Sequence, residues 1–141
     1  MGGGRALVIL LLAAGIAPAA AQTFPERAFR DARIKSEFHI QIAIERVKVP
    51  TPTPGICTVY GKIERVFRGP TTKGTPIELD LECKRKTDVV KPGSAIWIDS
   101  DQLVEAKHME AFVNRGPYGF AHALWQHAII AEPTEQPTIK P

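Results

Sequence analysis

The sequence predicts an all-β domain, a small antiparallel barrel of about six strands that is OB-like and has little helix. A small β-sandwich is the alternative. Two observations lead to this prediction. Apolar and polar residues alternate in several short segments, which is typical of half-buried strands. Turns rich in glycine or proline separate those segments. Closing the strands into a barrel would hide their edges, which otherwise tend to pair with other chains.

A hairpin with a cysteine at each outer end shows the clearest alternation. In the predicted strand 57–67, residues 57, 59, 61 and 63 share one face, and in the strand 75–83 residues 77, 79, 81 and 83 share one face. Folding the chain symmetrically about Gly69-Pro70 sets Cys57 opposite Cys83. The same symmetry pairs Val59 with Leu81 and Ile63 with Ile77. Directly opposed residues have Cα atoms about 4.5–5.5 Å apart, within the span of a disulfide. The sequence therefore predicts a Cys57–Cys83 disulfide on the buried face. On the second strand, the alternating acidic residues that face solvent in this prediction are Glu78, Asp80 and Glu82.

The N-terminus has the pattern of a cleaved signal peptide. Arg5 provides the positive charge, residues 6–16 are apolar, and three alanines precede Gln22. We predict cleavage after Ala21 by a Sec-type route and a periplasmic or secreted destination. A membrane-spanning helix needs about 20 apolar residues, and this run stops at Pro18. The mature protein is therefore expected to have no stable membrane insertion.

The predicted organisation is a signal peptide at 1–21, one β-barrel domain at 22–131 and a flexible, proline-rich tail at 132–141. The 120 residues after the signal are enough for one domain with its own core. They carry 17 basic and 15 acidic residues, interspersed rather than in blocks. This mild positive charge argues against nucleic acid as a partner. Two cysteines in an exported chain are most simply a disulfide, because the destination is oxidising.

The remaining elements are predicted from the same periodicities. Residues 23–35 fit a short helix or an ordered lead-in, and residues 38–49 form a strand that a Pro-Thr repeat ends. Residues 100–107 fit a helical turn or a loop, capped by Ser100 or Asp101. Three further strands are predicted at 95–99, 108–113 and 120–131. For the first half of the last of these, residues 120–131, a helix is the alternative interpretation.

A resemblance supports the same fold. Residues 61–69, then Lys73-Gly74 and the alternating residues 77–81 ahead of Cys83, resemble a pattern of small exported bacterial OB-like proteins. Some of those proteins look similar to the netrin and tissue-inhibitor-of-metalloproteinase module. The similar part covers residues 38–130 and implies an OB-like fold. Inhibitors of that class chelate the protease zinc through an N-terminal cysteine. Here the predicted mature chain begins at Gln22, so the resemblance does not support that mechanism.

Residues with catalytic or metal-binding chemistry do not form a recognisable pattern. His122 and His127 are five positions apart, so on a regular strand they point to opposite sides, and zinc needs close pairs of ligands. His39 and His108 are the other candidates, with Glu110 nearby in sequence, and all four histidines are expected to be ordinary surface or half-buried residues. The serines Ser36, Ser94 and Ser100 have no nucleophile-elbow sequence around them. The two cysteines are not a C-x-x-C pair. We therefore predict no catalytic residues, no metal and no cofactor.

The functional hypothesis is consequently a non-enzymatic, exported binding or accessory module. Its partner is predicted to be a protein or a small ligand. The alternative is an inhibitor or regulator of an extracytoplasmic protease, and a hydrolase ranks third. The predicted interaction surface consists of Tyr118, in a Gly-Pro-Tyr-Gly turn, and the basic triplet Lys84, Arg85 and Lys86. The other large aromatic residues of this half are expected to lie mainly in the core, namely Trp97, Phe112 and Trp125.

Overall fold

The computed structural model describes residues 1, 24–93 and 95–141, and these form six strands and two helices. In chain order they are α1 Glu26–Lys35, β1 Phe38–Lys48, β2 Gly55–Arg68, β3 Pro76–Lys84, β4 Ile98–Asp99, α2 Ser100–Glu105, β5 His108–Gly116 and β6 Gly119–Ile130. Beyond Met1, the predicted signal peptide and its cleavage site lie outside the described residues. Within the described residues, neither helix is long and apolar enough to cross a membrane.

All six strands belong to one curled sheet with the order β4-β3-β2-β1-β5-β6. Strands β1, β2 and β3 form an antiparallel meander, and β5 pairs with the other edge of β1. A single curled sheet agrees with the predicted barrel-like fold rather than with a sandwich of two sheets. One pair departs from the antiparallel prediction. Strand β4 runs parallel to β3, which is possible because the connection after β3 crosses over before β4 begins.

The core lies inside the curl and follows the alternation that the sequence shows. On β3, residues 77, 79, 81 and 83 are buried, and the residues between them are exposed or half-buried. Each large apolar side chain buried in this way contributes about 1.5–3 kcal/mol. The fully buried apolar residues of the central strands include Ile40, Ile42, Val59, Leu79, Met109 and Val113. The period-2 pattern therefore identifies the core face of these strands correctly.

The predicted disulfide is confirmed, but the predicted register is wrong by two residues. Cys57 and Cys83 are bonded, with their Cα atoms 5.7 Å apart. In the structure Cys57 lies opposite Leu81, and Gly55 lies opposite Cys83. The cysteines are therefore diagonal neighbours. A slip of two residues keeps every side chain on its own face, so the hydrophobic pattern cannot detect it. The turn fixes the register, since Ile63 N–H donates to the Thr75 carbonyl at 2.9 Å.

Gly61 permits the close approach of β1 and β2. A Cβ atom at this position would collide with the carbonyl oxygen of Ala43 on the neighbouring strand. The β1–β2 pairing is irregular here, with a register shift between Ile44 and Arg46. Only glycine allows the two backbones to lie this close. The predicted inward position of residue 61 is therefore occupied by backbone from the next strand.

The structure decides the elements that the sequence left open. Residues 26–35 form helix α1, and residues 100–105 form helix α2. The cap of α2 is neither of the predicted residues. The Asp99 side chain accepts hydrogen bonds from the backbone N–H groups of Asp101 and Gln102. The segment 95–99 contributes only the two residues of β4. The helical alternative for the last segment is wrong, because residues 119–130 form one strand.

Candidate functional site

A groove follows the line where β3 and β6 face each other. These strands are not hydrogen-bonded neighbours in the sheet order, so the barrel stays open along this line. Three cavities of about 390, 350 and 380 Å³ lie along it. Adjoining cavities share Glu78 at one junction and Asp80 with His122 at the other. Because adjoining cavities share lining residues, they form a row of open depressions along the seam, which we call the β3–β6 groove.

Carboxylates line one wall of the β3–β6 groove. Glu78, Asp80 and Glu82 occupy alternate positions of β3 and share its outward face. Asp80 accepts a hydrogen bond from Thr58 Oγ1 at 2.7 Å, and Glu82 accepts one from Trp125 Nε1 at 2.7 Å. Among the described residues, no lysine or arginine lines the three cavities. The groove is thus acidic on a chain whose formal net charge is +3.

Two histidines on the opposite wall are in direct contact. His127 Nδ1 and His122 Nε2 are 3.1 Å apart, so one of the two nitrogens must carry the proton that both share. Desolvation and the charge of His127 lower the pKa of His122 to about 3. Desolvation also lowers the pKa of His127 and outweighs the opposite effect of Glu82. Both imidazoles are therefore neutral at pH 7 and do not cancel the charge of the carboxylates.

The expectation that His122 and His127 point to opposite sides of a strand is wrong. Strand β6 bulges between them, where Leu124 and Trp125 have positive φ angles of 42° and 55°. Opposite this bulge, β5 advances by only two residues, from Ala111 to Val113. The bulge therefore re-aims one imidazole toward the other. In the part of the chain that the structure describes, no three His, Cys, Asp or Glu side chains are placed to hold a metal ion.

The two parts of the predicted interaction surface lie far apart. Tyr118 is fully exposed at the turn between β5 and β6, and it lines the groove together with Pro76. Lys84 ends β3, about 26 Å further along the strand. In the basic triplet, Lys86 Nζ lies 3.9 Å from Asp99 Oδ2. The Arg85 backbone N–H and Lys84 Nζ donate to Asp88. The structure thus joins Tyr118 to the acidic groove and not to the triplet.

A second polar cluster, which the sequence did not predict, lies on the outer face of β1 and β5. It consists of His39, Gln41 and Glu110, and we call it the outer-face polar site. Gln41 lies directly opposite Glu110 in the β1–β5 pair. Neither residue is exposed to solvent, and His39 is only 3% exposed. His39 Nε2 lies 2.6 Å from Glu110 Oε1, and Gln41 Nε2 donates to Glu110 Oε2 at 2.9 Å.

Residues 132–141, which we call the tail segment, cover this site. Thr138 donates to Glu110 through its backbone N–H and its hydroxyl, at 2.9 and 2.8 Å, and the Ile139 N–H donates at 3.0 Å. Thr134 donates its N–H to Gln41 Oε1 and accepts a hydrogen bond from Gln41 Nε2. The tail segment was expected to be loose because of its prolines. In the structure it contains no helix or strand, but hydrogen bonds attach it to buried side chains.

Burial and hydrogen bonding determine the charges in the outer-face polar site. Desolvation acts to raise the pKa of Glu110, but hydrogen bonds from Gln41, Ile139, Thr138 and His39 outweigh it and lower the pKa. Desolvation also lowers the pKa of His39, against the effect of its hydrogen bond to Glu110. The site therefore holds one carboxylate and one neutral imidazole, which donates its Nε2–H to that carboxylate.

The sequence marks the residues of the outer-face polar site as polar strand positions, but this pattern does not reveal that they are buried. His39 and Gln41 occupy the polar face of β1, and Glu110 occupies the polar face of β5. Alternation alone gives the same pattern whether such a face meets water or a covering segment. Of the predicted core aromatics, Phe112 is fully buried and stacks on His39 with 3.9 Å between the ring centroids. Trp125 is half-buried at the groove instead.

Comparisons with known proteins give no relative. No family model, no curated protein and no solved structure matches the chain. The resemblance to OB-like and netrin-related modules therefore stays a prediction.

Lowering the pH from 7 to 5 is expected to reduce the free energy of unfolding. The pKa values of His39, His122 and His127 lie below 6.5 in the folded chain. Below pH 6.5 the unfolded chain therefore binds protons that the folded chain excludes, and stability falls as the pH drops toward the folded pKa values. The lowered pKa of Glu110 acts in the same direction below pH 4.5.

Urea unfolding at pH 7, 6 and 5 measures this dependence. A His122→Gln variant should lose less stability over the range than the unaltered protein. Val104→Ala, an exposed substitution on α2 that removes no ionisable group, should keep the original slope. A free energy of unfolding that is constant between pH 7 and 5 contradicts the prediction.

Proposed function

We propose that this chain is an exported, non-enzymatic binding domain that holds an extended segment of a partner protein in the β3–β6 groove. The observation that carries the proposal is the groove itself. It runs between two strand edges that are not paired with each other, and among the described residues no lysine or arginine lines its cavities. The disulfide supports an extracytoplasmic location.

The dimensions of the groove favour an extended ligand that lies over the seam. Residues 76–82 of β3 span about 20 Å, the length of about six residues in extended conformation. Cα atoms of β3 and β6 come within 8 Å of each other. A strand inserted between them would need about 9.6 Å, which is twice the usual spacing of neighbouring strands. The bound segment is therefore expected to rest on the groove rather than to enter the sheet.

Charge complementarity indicates a basic segment. Glu78, Asp80 and Glu82 recur at every second residue of β3, and an extended peptide presents its side chains to one side with the same period. Lysine or arginine at alternate positions would match them. Tyr118 is fully exposed at one end of the groove, and Trp125 lies at the other. Tyrosine and tryptophan side chains are frequent binding hot spots.

The two described serines, Ser36 and Ser100, are placed in different environments. Ser36 Oγ donates to the Arg33 carbonyl and accepts a hydrogen bond from Arg68. Ser100 is buried, and its hydroxyl has no hydrogen-bond partner among the described residues. Neither serine is hydrogen-bonded to a histidine that could act as its base. No observation in the structure specifically favours a protease inhibitor.

Peptide binding measured by fluorescence anisotropy tests the proposal. The probe is a labelled hexapeptide that alternates lysine with valine, compared at low salt with the same peptide in which glutamate replaces lysine. The lysine peptide should bind and the glutamate peptide should not. Glu78→Gln and Asp80→Asn should each weaken binding by a factor of about 1.4 to 5, since an exposed ion pair is worth about 0.2–1 kcal/mol.

The matched control is Glu135→Gln in the tail segment, which removes the same charge outside the groove and should leave the affinity unchanged. Equal binding of both peptides, or equal weakening by all three substitutions, refutes the groove as the binding site. Equal binding of both peptides would mean that the charge of the peptide does not matter, and equal weakening by all three substitutions would mean that only the overall charge of the protein matters.

A further inference from the structure

The tail segment and the outer-face polar site have the relation of a ligand to a binding site. We propose that the outer-face polar site binds short, bent peptide segments that carry two hydroxyl residues four positions apart, and that the tail segment occupies it as a displaceable internal ligand. This inference is independent of the β3–β6 groove, because the site lies on the outer face of β1 and β5 rather than along the β3–β6 seam.

The site presents polar side chains that the tail segment shields from water and to which it is hydrogen-bonded. Glu110 receives five hydrogen bonds, of which two come from the sheet and three from Thr138 and Ile139. Gln41 uses its carbonyl oxygen and one of its amide protons on Thr134. In the uncovered site water would take the place of these three donors, and a segment that supplies them again would displace that water.

The contacts of the tail segment with the site are of two kinds. Backbone contacts can be made by almost any sequence, whereas hydroxyl contacts select for Thr or Ser. Three backbone N–H groups of the tail segment donate to the site, and any residue except proline can provide these. The two hydroxyls are selective. Thr134 Oγ1 accepts from Gln41, and Thr138 Oγ1 donates to Glu110 at 2.8 Å. The ligand class is therefore a short segment that bends as the tail segment does, with Thr or Ser at its first and fifth positions and no proline at the first, fifth or sixth.

The sheet orients the site without help from the tail segment. His39 stacks on Phe112 and donates to Glu110, while Gln41 is fixed opposite Glu110 by strand pairing. A pre-organised site loses little entropy when a ligand binds. A covalently attached tail acts at an effective concentration in the millimolar range. An external segment of the same pattern would therefore have to displace the tail segment before it could bind.

Cutting the folded chain ahead of the tail segment tests whether this segment behaves as a ligand or as a structural element of the fold. The full-length protein is prepared with a specific protease site inserted between Ala131 and Glu132, folded, and then cleaved. A fluorescent synthetic peptide of residues 132–141 is added, and anisotropy is recorded. We expect saturable binding that the unlabelled peptide competes. Peptides with Thr138→Val or Thr134→Val should bind about tenfold more weakly or worse, because each loses a hydrogen bond to a buried polar group.

The substitutions are made in the peptide, so the folded protein is identical in every measurement and its stability cannot affect the comparison. A peptide with Glu135→Gln, at an exposed position without contact to the site, should bind within twofold of the natural sequence. Three outcomes would overturn the proposal. They are loss of the folded state on cleavage, absence of exchange between bound and added peptide, and equal affinity of the Thr138→Val peptide.

Discussion

Replacing Glu110 by alanine is expected to lower the free energy of unfolding by about 3–5 kcal/mol, since it leaves two fully or nearly buried donors without an acceptor at about 1–3 kcal/mol each. Those donors are the Nε2–H of His39 and the side-chain amide of Gln41. The substitution also removes the group that attaches Thr138 and Ile139. Urea unfolding at pH 7 measures the loss.

Two further variants make the Glu110 prediction specific. Glu110→Gln keeps the shape and one acceptor oxygen, and a neutral His39 can change tautomer to accept the new amide proton. The Glu110→Gln variant should therefore lose clearly less free energy of unfolding than the Glu110→Ala variant. Glu105→Ala, an exposed carboxylate on α2, should change stability by no more than about 0.5 kcal/mol. A loss below about 1 kcal/mol for Glu110→Ala, which would equal the net value of a single ordinary hydrogen bond, contradicts the account of the site.

Removing the Cys57–Cys83 disulfide is expected to cost about 3.5 kcal/mol, the chain-entropy value for a loop of this size. The two cysteines are 26 positions apart and both are fully buried. For a domain of this size the melting temperature should fall by about 10–20 °C. The paired substitution Cys57→Ala with Cys83→Ala avoids placing a hydroxyl in the core, and thermal unfolding by circular dichroism measures the shift.

Reduction provides the control for the disulfide prediction. The unaltered protein in dithiothreitol should melt close to the paired alanine variant, and the variant itself should not respond to the reductant. If the oxidised protein and the variant melt at the same temperature, the disulfide contributes nothing to stability, and the hairpin is held by its apolar face alone.

The sequence was sufficient for the fold class and for the core face of the central strands. The alternation in residues 77–83 predicted the buried positions because burial on one face of a strand has a period of two. The same period explains the error in register. A slip of two residues leaves the pattern unchanged, and the turn at Gly74-Thr75 decides between the two pairings.

The candidate sites were harder to predict because both depend on contacts that are distant in sequence or on irregular backbone. Thr134 is 93 residues from Gln41, and no local pattern connects them. The contact between His122 and His127 needs the bulge at Leu124-Trp125, where residues other than glycine adopt positive φ. By contrast, the exposure of Tyr118 followed directly from its turn sequence.

The position of β1 in the sheet has a consequence for the order of folding. Residues 38–84 form one local unit, a meander that contains the disulfide, and residues 108–130 form another, the β5–β6 hairpin. The two units join through β1 and β5, where Ile42 lies opposite Met109. Each unit can nucleate from neighbours in sequence, whereas their union must close a long loop. The amide protons of β1 that bond to β5 should therefore gain protection from exchange late in refolding, after those of the β2–β3 hairpin.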